Sequence, residues 1–178
     1  MNKISIDAIH NLVSKMAETI PDIAHKPGFE NHFFSNDYEE FINGTRSDVK
    51  MPCMGLNFRQ ESSLPGTIKS TGTNSQLRMN ACICFLADGS DSFEKNRQSL
   101  DTMFQCLRWV YDFLEQKVSS PKGCDFPLVE LWDVEQGVRF YSVADAGFDE
   151  AVGWIMFIPL RESLSFGDSN NPLNNLAL

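Results

Sequence analysis

Five cysteines and three histidines are the residues of widest chemical reach in this chain. A structural or catalytic metal site built from them needs ligands that arrive in close pairs. Cys82-x-Cys84 is the one spacing that comes near. On a strand the two thiols would share a side, but no second cysteine pair and no histidine lies at a zinc-ribbon distance, so both read as small buried hydrophobes. Nucleophilic catalysis would need a serine or cysteine activated by a neighbouring imidazole. His10, His25 and His32 all precede the two alternating strand patterns, and no Gly-x-Ser-x-Gly elbow occurs. Cys106 sits beside Leu107 in an apolar helical stripe, where a packing role is the simpler reading; Cys124 stands alone.

Carboxylates offer a third chemistry. Asp88, Asp91, Asp145, Asp149 and Glu150 fall in turn-like stretches, where loop acids could gather a divalent cation for hydrolysis. Turn and capping duty accounts for the same residues with fewer assumptions. Neither Gly-x-Gly-x-x-Gly nor Gly-x-x-x-x-Gly-Lys-Ser/Thr is present, which argues against the common nucleotide enzymes. The expectation is a non-enzymatic protein without metal or cofactor.

The residues that must position any site belong to a recognisable series of elements. Ile6, Ile9, Val13, Met16 and Ile20 recur every three or four residues and predict an amphipathic helix stopped by Pro21. Residues 22–50 are irregular and aromatic-rich, with Pro27-Gly28 as a turn and room for a short helix near 37–42. Met54, Leu56 and Phe58 alternate with polar or small neighbours. Leu77, Met79, Ala81, Ile83 and Phe85 do the same, so the two runs predict a hairpin with a long polar tip over 60–75. Asp91 and Glu94 have capping-box spacing ahead of a helix whose stripe is Leu100, Met103, Phe104, Leu107, Val110, Tyr111, Leu114 and Val118. Strands are expected at 128–134, 138–143 and 151–160. The last is apolar on both faces and should be central or covered twice. The fold class is therefore α+β, one domain over residues 1–162, with a mostly antiparallel or mixed sheet of about five strands packed by the N-terminal helix and one long central helix. Residues 163–178, rich in Asn, read as a flexible tail.

Composition narrows the function classes. A formal charge of -9 and a pI near 4.7 oppose phosphate backbones and anionic membranes, and the Lys and Arg residues are scattered along the sequence. No specific nucleic-acid partner and no membrane partner is expected. The longest apolar run, 151–160, contains Pro159 and is about half of a membrane span. Asp7 and His10 interrupt the start of the chain where a secretory signal would be apolar, and the odd cysteine count suits a reducing compartment, so the expected location is the cytoplasm.

The order of elements, together with the terminal strand Phe148-Asp149-Glu150-Ala151-Val152-Gly153-Trp154-Ile155-Met156-Phe157, resembles the tail terminator, or tail-completion (minor tail), proteins of long-tailed bacteriophages. The likeness spans residues 5–162 and rests on topology, size and the acid-preceded Gly-Trp strand. It implies a homo-oligomeric ring, usually hexameric, that caps the tail tube and joins it to the head. The expected partners are copies of the chain itself and a tail-tube or head–tail connector protein, with no cofactor. Location follows as cytoplasm during assembly and virion tail afterwards. The aromatic segment and the Asn-rich tail depart from the family pattern. On this reading Arg59, Lys69 and Arg78, isolated cations around the hairpin tip, are candidate tube-facing residues, and Phe33, Phe34 and Tyr38 are candidate subunit contacts. Two alternatives stand beside it: a metal-dependent hydrolase using Asp88/Asp91 and Asp145/Asp149, and a host-side binding adaptor docking through 29–41.

Overall fold

A computed structural model of the chain describes residues 6–35, 49–60, 75–120, 126–143 and 151–164. Its centre is a pair of long antiparallel strands, β3 (Ser75–Asp88) and β5 (Ala151–Leu164), in register from Ser75↔Leu164 to Asp88↔Ala151. β2 (Cys53–Gln60) pairs antiparallel with β3, and β4 (Arg139–Val143) pairs antiparallel with β5. The three-residue β1 (Phe33–Ser35) adds a parallel edge to β2, giving the five-stranded order β1-β2-β3-β5-β4. The α+β class and the mixed sheet read from the sequence are thus the observed ones.

Strand alternation sends two apolar sets to opposite faces. Met54, Leu56, Ala81, Ile83, Phe85, Met156 and Ile158 meet the helices, while Phe34, Cys53, Cys82, Cys84, Leu86, Val143 and Ile155 form a second buried cluster behind them. Ala81 through Leu86 are all at most 6% exposed, which explains the unbroken run Ala-Cys-Ile-Cys-Phe-Leu in a central strand buried on both sides.

The helix-side face is covered by α2 (Phe93–Val118), which buries Met103, Cys106, Leu107, Val110 and Leu114 at three- and four-residue spacing. Each such side chain is worth about 1.5–3 kcal/mol when fully buried, so this stripe anchors the layer. α1 (Ile6–Thr19) buries Ile9, Val13 and Ala17, with Ile20 just beyond its end also in the core. The expected start Ile6 is half exposed, at 50%.

Four local expectations are corrected. The capping box does not form: the N-cap is Ser92, without a side-chain cap bond, and Glu94 instead pairs with Arg97 at 2.8 Å. The turn is tied by Asn96, whose Nδ2 donates to the Ser90 carbonyl and whose Oδ1 accepts from the Ser90 N–H, both at 2.7 Å. The strand expected over 128–134 is a short helix, α3 (Pro127–Leu131), followed by a 3-10 turn at Val134–Gln136. Pro127 opens it, where a fixed φ and a missing N–H are tolerated, and the four-residue spacing of buried Leu128 and Trp132 satisfies either period. Third, the segment read as irregular contains β1. Last, β5 runs to Leu164, past the expected tail boundary, because β3 supplies it with backbone partners back to Ser75. The helix expected near 37–42, the hairpin tip at 61–74 and the tail beyond 164 lie outside the described residues.

Candidate functional site

The chemistry-bearing side chains are largely absorbed by structure. Cys82 and Cys84 share a sheet face, as their spacing requires, and Cys53 joins them there through the pairs Cys53↔Leu86 and Gly55↔Cys84. The Cys53 thiol lies 3.3 Å from Met51 Sδ, and Cys82 Sγ lies 3.9 Å from the Asn80 carbonyl. Burial pushes the Cys84 and Cys106 thiols up to about 12 and Cys53 well above its ordinary value. A protonated, enclosed thiol is a weak nucleophile and a poor ligand, so Cys53, Cys84 and Cys106 pack, and Cys82 is buried beside them.

The histidines converge, although their sequence positions do not announce it. His10 meets Phe33 edge-on and His25 meets it tilted, at centroid distances of 5.3 and 5.8 Å. The His32 backbone N–H donates to His25 Nδ1 at 3.1 Å, and His32 Nδ1 lies 2.8 Å from the Pro52 carbonyl. In the neutral rings His25 therefore carries its proton on Nε2 and His32 on Nδ1. Burial lowers the His25 pKa, with the Glu18 charge and the Glu30 backbone bond opposing. These bonds tie the corner between α1, β1 and the start of β2 rather than activating a nucleophile. Among the described residues no group of three or more His, Cys, Asp or Glu is placed to hold a metal ion.

Of the loop acids, Asp88 lines an open pocket of about 710 Å³ together with Asp22, Ser90, Lys95 and Thr102. Asp91 is exposed nearby, and Arg97 binds both Glu94 and Asp101, which holds the Glu94 carboxyl below its ordinary range. Asp145, Asp149 and Glu150 lie outside the described residues.

The candidate contact residues divide sharply. Phe33 and Phe34 are 7% and 2% exposed inside the single chain, on opposite faces of the sheet, so neither is left over for a neighbour. The reason is β1: pairing with β2 sends one aromatic into each core. Phe34 fits because its partner is Gly55, where an added Cβ would overlap the ring. Tyr38 and Lys69 lie outside the described residues. Arg59 and Arg78 are on the sheet, and register alters their meaning. Arg59 pairs with Asn80, Arg78 pairs with Arg161, and Asn80 pairs with Pro159. Directly paired residues and alternate residues of a strand share a face, so Arg59, Arg78 and Arg161 stand on one face across three adjacent strands. Arg161 was missed because the last strand was expected to stop at 160. Buried Asn80 lies between these positions, and its Oδ1 has no hydrogen-bond partner among the described residues.

Apolar groups also reach the surface. Four of the five β4 residues are exposed, with Phe140 at 40% and Tyr141 at 51%, and only β5 pairs with this strand among the described residues. A groove of about 290 Å³ between α1 and α2 is lined by Leu12, Met16, Ile20, Trp109, Val110 and Phe113. No described helix is long and apolar enough to cross a membrane. Comparison with known proteins finds no family model that matches the chain and no curated protein that matches it.

Proposed function

We propose that this chain is a non-enzymatic structural subunit of phage tail assembly, a ring-forming tail terminator or head–tail joining component of a phage or prophage-like element. The observation that carries the reading is the division of labour between inside and outside. The thiols of Cys53, Cys82, Cys84 and Cys106 are buried and His25 and His32 are tied to backbone, whereas Phe140 and Tyr141 face outward from β4, whose other edge has no strand partner among the described residues. Such an edge suits contact with another protein chain. The order of elements supports the same reading through its resemblance to tail terminators: an N-terminal helix, a hairpin, a long helix, and a last strand running through the middle of the sheet.

On this reading the partners are further copies of the chain and a tail-tube or connector protein. Assembly takes place in the cytoplasm, and the product resides in the virion tail. Neither a cofactor nor a specific nucleic acid is required. Light scattering and negative-stain imaging over a concentration series test it. The expected result is a ring-sized species that binds polymerised tail-tube protein; a strict monomer that ignores the tube overturns the proposal.

A further inference from the structure

We infer that the exposed ring of Phe29 seats in the apolar groove between α1 and α2 of a second copy of this chain, so that subunits join head to tail. The inference rests on the ring-forming reading and names the contact that would link neighbours. Lys26-Pro27-Gly28-Phe29 is a tight turn closed by the Phe29 N–H on the Lys26 carbonyl at 3.0 Å, with Gly28 at φ +80°, the left-handed value that the third position of a type II turn requires. Two backbone bonds between Lys26 and Glu30, both at 3.0 Å, and their side-chain ion pair at 3.5 Å brace it. The ring beside this turn is 90% exposed, more than any other large apolar side chain among the described residues. Because its backbone is already fixed, docking it orders little further chain.

The groove fits such a ring by size and by polarity. Its volume of about 290 Å³ falls below the roughly 300–1,000 Å³ of small-molecule sites, and Trp109 and Phe113 in its wall offer aromatic partners. Its polar liners are Lys15 and Thr19, both exposed, and the Thr19 hydroxyl already donates to the Lys15 carbonyl at 2.8 Å, so the walls call for an apolar occupant. Helix geometry makes the contact intermolecular. On α1, His10 marks the flank that carries the turn, since its ring meets Phe33 beside His25. At about 100° per residue, the groove residues Leu12, Met16 and Thr19 lie about 120–180° around the helix from His10. Knob and groove thus occupy opposite flanks of α1, and the exposure of Phe29 shows that a subunit does not fill its own groove. A contact between two different patches of identical chains is heterologous, and it produces a closed ring when its rotation closes. One aromatic ring buries about 150–250 Å² of a standard interface's roughly 800 Å² per partner, so Phe29 anchors the contact and is not the whole of it.

The experiment is sedimentation over a concentration series with two single variants and their mixture. Phe29→Ser removes the knob at an exposed position. Trp109→Lys places a charge in the groove, with Thr19→Lys as the second groove variant should circular dichroism show that Trp109→Lys does not fold. Each alone is expected to self-associate about tenfold or more weakly than wild type. An equimolar mixture should form a one-to-one dimer and nothing larger, because only one intact knob and one intact groove remain to meet. A photo-crosslinking residue in place of Phe29 should couple to residues 12–20 or 109–113 of a second chain. If wild type assembles and Phe29→Ser assembles equally well, or if the mixture stays monomeric, this contact is wrong while the ring reading stands. Normal rings of Phe29→Ser that no longer bind tail-tube protein assign the knob to the tube and overturn the inference, as does a crosslink confined to one chain. A wild type that stays monomeric at every concentration overturns the ring reading and this contact together.

Discussion

Phe34 and Gly55 provide a stringent check on the packing argument. The Phe34 ring is 2% exposed and lies where a Gly55 side chain would be, since a Cβ built on Gly55 meets ring atoms Cζ, Cε1 and Cε2. Phe34→Ala removes that ring from the cluster containing Cys53, Cys84 and Leu86, at a cost of about 3–5 kcal/mol. Gly55→Ala inserts a methyl into the occupied space, a change that costs about 1–3 kcal/mol. Independent effects would add. Here the second substitution fills the space the first vacates, so the double variant should cost little more than Phe34→Ala alone, a coupling of about 1–3 kcal/mol. Native domains hold about 5–15 kcal/mol in all, and Phe34→Leu keeps the series measurable if Phe34→Ala unfolds. The assay is urea unfolding followed by circular dichroism at low protein concentration, with the m-value checked for constancy. Strict additivity would refute the contact. A Phe34→Ala chain with an unchanged midpoint but impaired assembly would refute burial itself and return this residue to an interface role.

Two further outcomes follow from buried groups. Cys84 and Cys106 are held at about 12, while a thiol of the unfolded chain loses its proton near the ordinary value of 9.0. Their contribution is therefore complete below pH 9 and is lost as pH rises toward 12; urea midpoints at pH 8 and pH 10 should differ accordingly, with a smaller difference in Cys84→Val. Asn80 is 5% exposed and its Oδ1 has no partner among the described residues, so Asn80→Val should raise stability by about 1 kcal/mol, and a lowered melting temperature would show that the amide has a partner.

Much of the frame was legible along the chain. The alternations in β2 and β3, the stripe of α2 and the double-sided apolarity of β5 are local periods, and each reports its own burial. Short elements were not legible. β1 has only three residues, too few to display alternation, and Leu128 and Trp132 are spaced so that helix and strand both fit. The failed capping box is a different case: Asp91 and Glu94 have the correct spacing, but Arg97 and Gln98 donate to the Glu94 carboxylate, and Ser92 takes the cap position.

By itself the sequence determined the secondary-structure periods, the apolar content of the core and the acidic balance, because each depends on neighbours along the chain. Only the tertiary structure decided who faces whom: Phe34 over Gly55, three histidines around one corner, and two apolar clusters on opposite faces of one sheet. Strand register is set by hydrogen bonding between segments up to about ninety residues apart, and a one-residue slip would move every partner to the other side. No local pattern records that choice.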